Sequence, residues 1–236
     1  MKKILIALLG ITMVFALAAC GNTQQQQQPE TPSAEMSTEV VGGWEIPEGD
    51  MVFSENEHPN AVAAFEKATA ELVGAEHEAL AVLGKQVVSG TNFAYLCRSK
   101  VVAPESKYTY QIMYVYQDLQ GNAEVVGFKE LLPATKDGQV GAWEYNQGEP
   151  SLEQNPDVQA AFEKATGEML GADYEPIALV AKQVVSGTNY QILCRETTVT
   201  NPPVNKIAMV TVYADLQGNA EVTDIQNIEL DLSNVD

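Results

Sequence analysis

Lys85-Gln86-Val87-Val88-Ser89-Gly90-Thr91-Asn92 recurs without a change as Lys182-Gln183-Val184-Val185-Ser186-Gly187-Thr188-Asn189. The two copies stand 97 residues apart, and the same offset holds far to either side. Residues 59–132 superimpose on 156–229 without a gap, with 35 of 74 positions identical. The AAFEKAT block at 63–69 returns at 160–166, and DLQGNAEV at 118–125 returns at 215–222. Upstream, Val41-Gly42-Gly43-Trp44-Glu45 matches Val140-Gly141-Ala142-Trp143-Glu144 at an offset of 99. Repetition at a fixed period marks one structural unit used twice. Each unit approaches 100 residues, enough for a small core of its own. Two tandem domains are expected, over 41–134 and 140–236, joined by a linker at 135–139 that contains Asp137-Gly138.

Within a unit the apolar spacing changes from helical to alternating. Val62, Phe65, Thr69, Leu72 and Val73 fall near helical spacing and predict an amphipathic helix ended by Gly74. The second copy has Val158, Phe162, Met169 and Leu170, ended by Gly171. Strands are expected over 80–88, 91–102, 108–116 and 123–131, with turns at Ser89-Gly90 and Gln120-Gly121-Asn122. One helix followed by an antiparallel meander is an α+β pattern, in which the helix packs on the antiparallel sheet and covers its apolar face. Alternation places Phe93, Tyr95 and Cys97 on one face, as it does Tyr190, Ile192 and Cys194. Asn92, Arg98, Asn189 and Arg195 fall on the other, which is expected to meet solvent.

Gln86-Val87-Val88-Ser89-Gly90 and Gln183-Val184-Val185-Ser186-Gly187 resemble the Gln-X-Val-X-Gly loop of the cystatins. The continuation over 183–195 is similar to the strand–loop–strand of the single-domain stefins. A preceding helix, an upstream Gly-Gly and a later hairpin complete the family's order over about 42–132 and 141–229. The resemblance implies two tandem cystatin-like domains. It also implies reversible, tight-binding inhibition of papain-like cysteine proteases, through a wedge of three segments that occludes the active-site cleft. Carried over by position, the trunk is Gly42 and Gly43, or Gly141. The first loop is Gln86 to Gly90, or Gln183 to Gly187. The second is Leu119, Gly121 and Asn122, or Leu216, Gly218 and Asn219. The second loops lack a Pro-Trp pair, and Trp44 and Trp143 follow the glycines directly, which suggests an added strand. A plainer reading of the first loop is a tight turn needed by the fold, and of the second, ordinary hairpin chemistry.

The N-terminus reads as an address. Lys2 and Lys3 precede an uncharged apolar stretch over 4–17, too short for the ~20 residues of a spanning helix. The segment ends Leu17-Ala18-Ala19-Cys20 and resembles a bacterial lipoprotein signal. The resemblance implies cleavage of residues 1–19, lipid attachment to Cys20, and an extracytoplasmic place in the cell envelope. An ordinary secretory signal with a chance cysteine is the alternative. Two or more acyl chains hold a protein stably on a membrane. Residues 20–40 include five consecutive glutamines and read as a disordered tether. Loss of Lys2 and Lys3 takes the net charge from −19 to −21.

With 13 Lys+Arg against 32 Asp+Glu, the chain has no basic cluster with which to neutralise phosphates, so nucleic acid is not an expected partner. A hydrophobic content of 45% excludes wholesale disorder. Cys97 and Cys194 read as buried free thiols, an interdomain bridge being the alternative. His58 and His77 lack a Cys or Ser partner near in sequence, and no metal-ligand cluster or cofactor motif appears, so no enzyme is expected. Asp118, Asn122 and Glu124 fit no EF-hand spacing. The expected partners are papain-like cysteine proteases and, through the lipid, a membrane. The alternatives are a non-inhibitory surface binding module built on the same hairpins and a purely structural envelope lipoprotein.

Overall fold

The repeated blocks become strands and the turns that join them. The computed structural model describes residues 42–132, 141–233 and 235. The first repeat starts with strand β1 (Trp44–Glu45) and helix α1 (Pro59–Thr69). Strands β2 (Ala75–Val87), β3 (Thr91–Val101), β4 (Thr109–Gln117) and β5 (Ala123–Glu130) follow. The second repeat gives β6 (Glu144–Tyr145), a 3-10 turn (Leu152–Gln154) and α2 (Pro156–Thr166). It continues with β7 (Ala172–Val184), β8 (Gly187–Thr198), β9 (Asn205–Asp215) and β10 (Ala220–Ile228). The expected leader over 1–19, Cys20, the tether over 20–40 and the linker at 135–139 lie outside the described residues.

Each helix opens on a proline in its first turn, where a missing N–H leaves no hydrogen bond unmade. Helix α1 buries Ala61, Val62, Ala64 and Phe65. It ends earlier than the apolar spacing suggests, at Thr69, whose hydroxyl donates back to the Phe65 carbonyl at 2.8 Å. Gly74, at φ +94°, then turns the chain into β2, so the strand begins at Ala75 rather than 80.

The α+β expectation is corrected by the strand content. Strand makes up 49% of the described residues and helix 14%, in two five-stranded antiparallel sheets with two α-helices. The class is therefore mainly β, not the helix-on-sheet arrangement of tandem cystatin-like domains. The strands lie in chain order in both sheets, β1 to β5 and β6 to β10. The physical reason for the difference lies in the central strands, where both alternating sets are apolar. Phe93, Tyr95 and Cys97 face Ala61, Ala64 and Phe65 of α1. Ala94 and Leu96, on the other face, share a core with Tyr110, Ile112 and Tyr114, and also with Val180, Leu193, Ile207 and Met209 of the second repeat. A sheet with two apolar faces needs two covers. The helix is one and the sheet of the other repeat is the second. Of the polar residues expected in solvent, Asn92 is buried, and Arg98 pairs with Glu78 at 2.6 Å and donates to the Gly148 carbonyl at 3.2 Å.

Contacts between the repeats fix the direction in which each sheet points. Tyr110 pairs with Arg98, far down β3 from the turn at Gly90, and stacks on Tyr145 with ring centroids 5.9 Å apart. Tyr145 pairs with Ala181, which pairs with Gln191, close to the turn at Gly187. In the mirrored contact, Arg195, far down β8, donates to the carbonyls of Pro47 and Gly49, which follow the Glu45–Lys85 pair near the first turn. In both contacts the far part of one sheet meets the near part of the other. The sheets therefore run in opposite senses about a pseudo-two-fold axis. The β2–β3 and β7–β8 turns lie at opposite ends, ~12 strand residues or ~40 Å apart at the usual rise.

Candidate functional site

Three of the segments singled out in each repeat meet at one end of its sheet. In the first repeat, the Gly42 amide donates to the Val87 carbonyl at 3.2 Å. Gln86 ties the segments together: its Nε2 donates to the Gly42 carbonyl at 2.9 Å, and its Oε1 accepts from Asn92 Nδ2 at 2.7 Å. The β2–β3 turn is closed by the Val88 amide donating to the Gly90 carbonyl at 2.9 Å. Beside it, Tyr116 at the end of β4 donates its hydroxyl to the Ser89 carbonyl at 3.1 Å. Gly90 is buried against this tyrosine. A Cβ there would lie 2.4 Å from the Gln117 carbonyl oxygen and 2.7 Å from the Tyr116 ring, too close for any other residue.

The β4–β5 turn is built around one carboxylate. Asp118 Oδ1 accepts from the amides of Gln120 and Asn122 at 2.9 and 2.8 Å, and Oδ2 accepts from Asn122 Nδ2 at 2.8 Å. The hydrogen bonds from the Asn122 side chain and backbone hold the Asp118 carboxyl below its usual range. Gly121 adopts φ +80°, as this turn requires. From the helix, Lys67 Nζ donates to the Gly121 carbonyl at 2.8 Å and braces the loop.

The second repeat rebuilds the same site at the opposite end. Gln183 donates to the Gly141 carbonyl at 2.7 Å and accepts from Asn189 at 2.7 Å. Tyr213 donates to the Ser186 carbonyl at 3.1 Å, and a Cβ on Gly187 would sit 2.4 Å from the Ala214 carbonyl oxygen. Asp215 organises Gln217 and Asn219, and Lys164 donates to the Gly218 carbonyl at 2.8 Å.

The residues picked out by sequence divide by what they do. Gln86, Gly90 and Gly121, with Gln183, Gly187 and Gly218, shape the turns. Gly42 and Gly141 anchor the incoming chain, while Gly43 connects to β1. Val88, Val185 and Val184 point outward, and Leu119 and Leu216 at the second turns are 80% and 81% exposed. Ser89 and Ser186 are exposed between them, while Val87 is half-buried and pairs with Thr91. The buttressing residues Asn92, Tyr116, Asp118 and Lys67 belong to no binding motif. Their signal in the sequence is identity between copies, since Asn189, Tyr213, Asp215 and Lys164 repeat them.

Other reactive groups lie elsewhere. Cys97 and Cys194 are free and buried in separate clusters, and burial raises both thiols well above their usual range. His58 Nε2 lies 2.7 Å from the Asp50 carbonyl oxygen. His77 Nδ1 lies 2.8 Å from Ser99 Oγ, which also accepts from Gln111 Nε2 at 2.9 Å. Burial lowers the His77 pKa. This group lines a groove of about 450 Å³ at the base of the first sheet, away from its turns, with Leu72, Val73, Val101 and Phe128. Among the described residues no helix is long and apolar enough to cross a membrane. The chain matches no protein-family model and no curated protein.

Proposed function

We propose that this chain is a reversible, tight-binding inhibitor of papain-like cysteine proteases, held at the extracytoplasmic face of a bacterial envelope by lipid on Cys20. The hairpin turns carry the binding by filling the active-site cleft. The observation behind this reading is the row of uncharged, exposed apolar side chains at each sheet end, Val88 and Leu119 or Val185 and Leu216, in a chain of net charge −19. Narrow convex turns suit a cleft rather than a flat surface, and their apolar tips gain by leaving water there. The Gln clamp, the tyrosine buttress and the aspartate-centred turn order the tips before binding, so little conformational entropy is lost on docking. A turn tied at both ends into a sheet also cannot extend as a cleaved substrate does. The tether over 20–40 would let the body stand off from the membrane.

A second reading is a surface binding module that uses the same turns on a partner other than a protease. It is favoured by Gln86 and Gly90 each having a task within the fold, which accounts for much of the motif without any protease.

Titration of the full chain in non-ionic detergent against papain tests the first reading. Tight inhibition is expected, weakened at least ~100-fold by the combined V88D, L119D, V185D and L216D substitutions with circular dichroism unchanged. No inhibition of papain and several related proteases at micromolar chain would leave the binding-module reading ahead. Full inhibition by the fourfold variant would remove the turns from the mechanism.

A further inference from the structure

Among the described residues, the large apolar side chains left exposed gather at the two ends of the body formed by the two repeats; only Val52 and Val126 lie between those ends. Because the sheets run in opposite senses, each end combines the turns of one repeat with the base of the other. At the first end, Val88 and Leu119 are joined by Leu170, Val199 and Val204 from the second repeat. Leu170 is 97% exposed and precedes Gly171, whose carbonyl accepts from the Val199 amide at 3.1 Å. At the second end, Val184, Val185 and Leu216 are joined by Val73, Val101 and Val102 of the first repeat. Val73 is 93% exposed, and the Val102 amide donates to the Gly74 carbonyl at 2.9 Å. Burial in the fold accounts for none of these side chains, and their crossed grouping follows from the packing of the sheets.

We propose that the body formed by the two repeats is two-ended. Each end is a composite surface of turns from one repeat and an apolar base from the other, and one chain takes two protease molecules at once. The proposal rests on the protease reading for the class of its partner. The ends face away from each other across ~40 Å, roughly the diameter of a protein of ~200 residues, so two such partners need not collide. The turns enter the cleft, and the base of the other repeat rests beside its mouth. Separate repeats would each carry the turns without the shoulder.

The test uses the full chain in detergent with papain, reading stoichiometry by sedimentation and affinity by inhibition. Two papain molecules per chain are expected, falling to one in the V185D/L216D variant. In that one-ended background, adding L170D and V199D should weaken inhibition about tenfold, while adding V52D should not. Saturation of the unaltered chain by one papain would leave the protease reading standing and overturn two-endedness. An unchanged affinity with L170D and V199D would overturn the composite surface. No complex of any stoichiometry would overturn the protease reading and this proposal with it.

Discussion

Gly90 illustrates how a residue within a segment read as a binding loop can be required by the fold. Its Cα lies against Gln117 and Tyr116, and Gly187 lies in the same way against Ala214 and Tyr213. Gly90→Ala is expected to cost about 1–3 kcal/mol through overpacking, whereas Val88→Ala at the exposed tip should stay within about 0.5 kcal/mol. Urea unfolding of the two variants checks this. The turn itself is legible in Ser89-Gly90, because a glycine between two alternating runs marks the point where the chain reverses. The tyrosine above it is not, because the contact joins strands distant in sequence. Gln86 is legible as part of a motif but not as the clamp on Gly42, for the same reason.

At the level of elements, local pattern and long-range packing contribute separately. Strands β3, β4 and β5 fall within one or two residues of the alternating runs, since their turns carry strong glycine and asparagine signals. The start of β2 is hidden because Glu76 and Glu78 interrupt the apolar pattern and Leu72 and Val73 extend the helical one. The fold class turns on Leu96 and Leu193. Taking Phe93, Tyr95 and Cys97 as the apolar face leaves Ala94 and Leu96 unassigned, though together these five form the continuous apolar run of a strand buried on both sides. Leu193→Ala and Leu96→Ala are therefore each expected to cost about 2–5 kcal/mol in urea unfolding. A cost below about 1 kcal/mol would mean that this second face is not a core.

For the whole molecule, duplication is plain in the sequence, and its consequence for shape is not. The opposed packing depends on Tyr110 meeting Tyr145 and Arg195 meeting Pro47 and Gly49, pairings that no local pattern announces. It makes two like ends from one repeated unit, in a chain of net charge −19. The claim that these ends bind through their turns is tested most directly by amide hydrogen exchange of the full chain, alone and with active-site-blocked papain. Slowed exchange is expected at 87–91 and 118–122, and at 184–188 and 215–219, with the middle of both sheets unchanged. Unchanged exchange in all four turns while papain is bound, or protection confined to the sheets and helices, would contradict it.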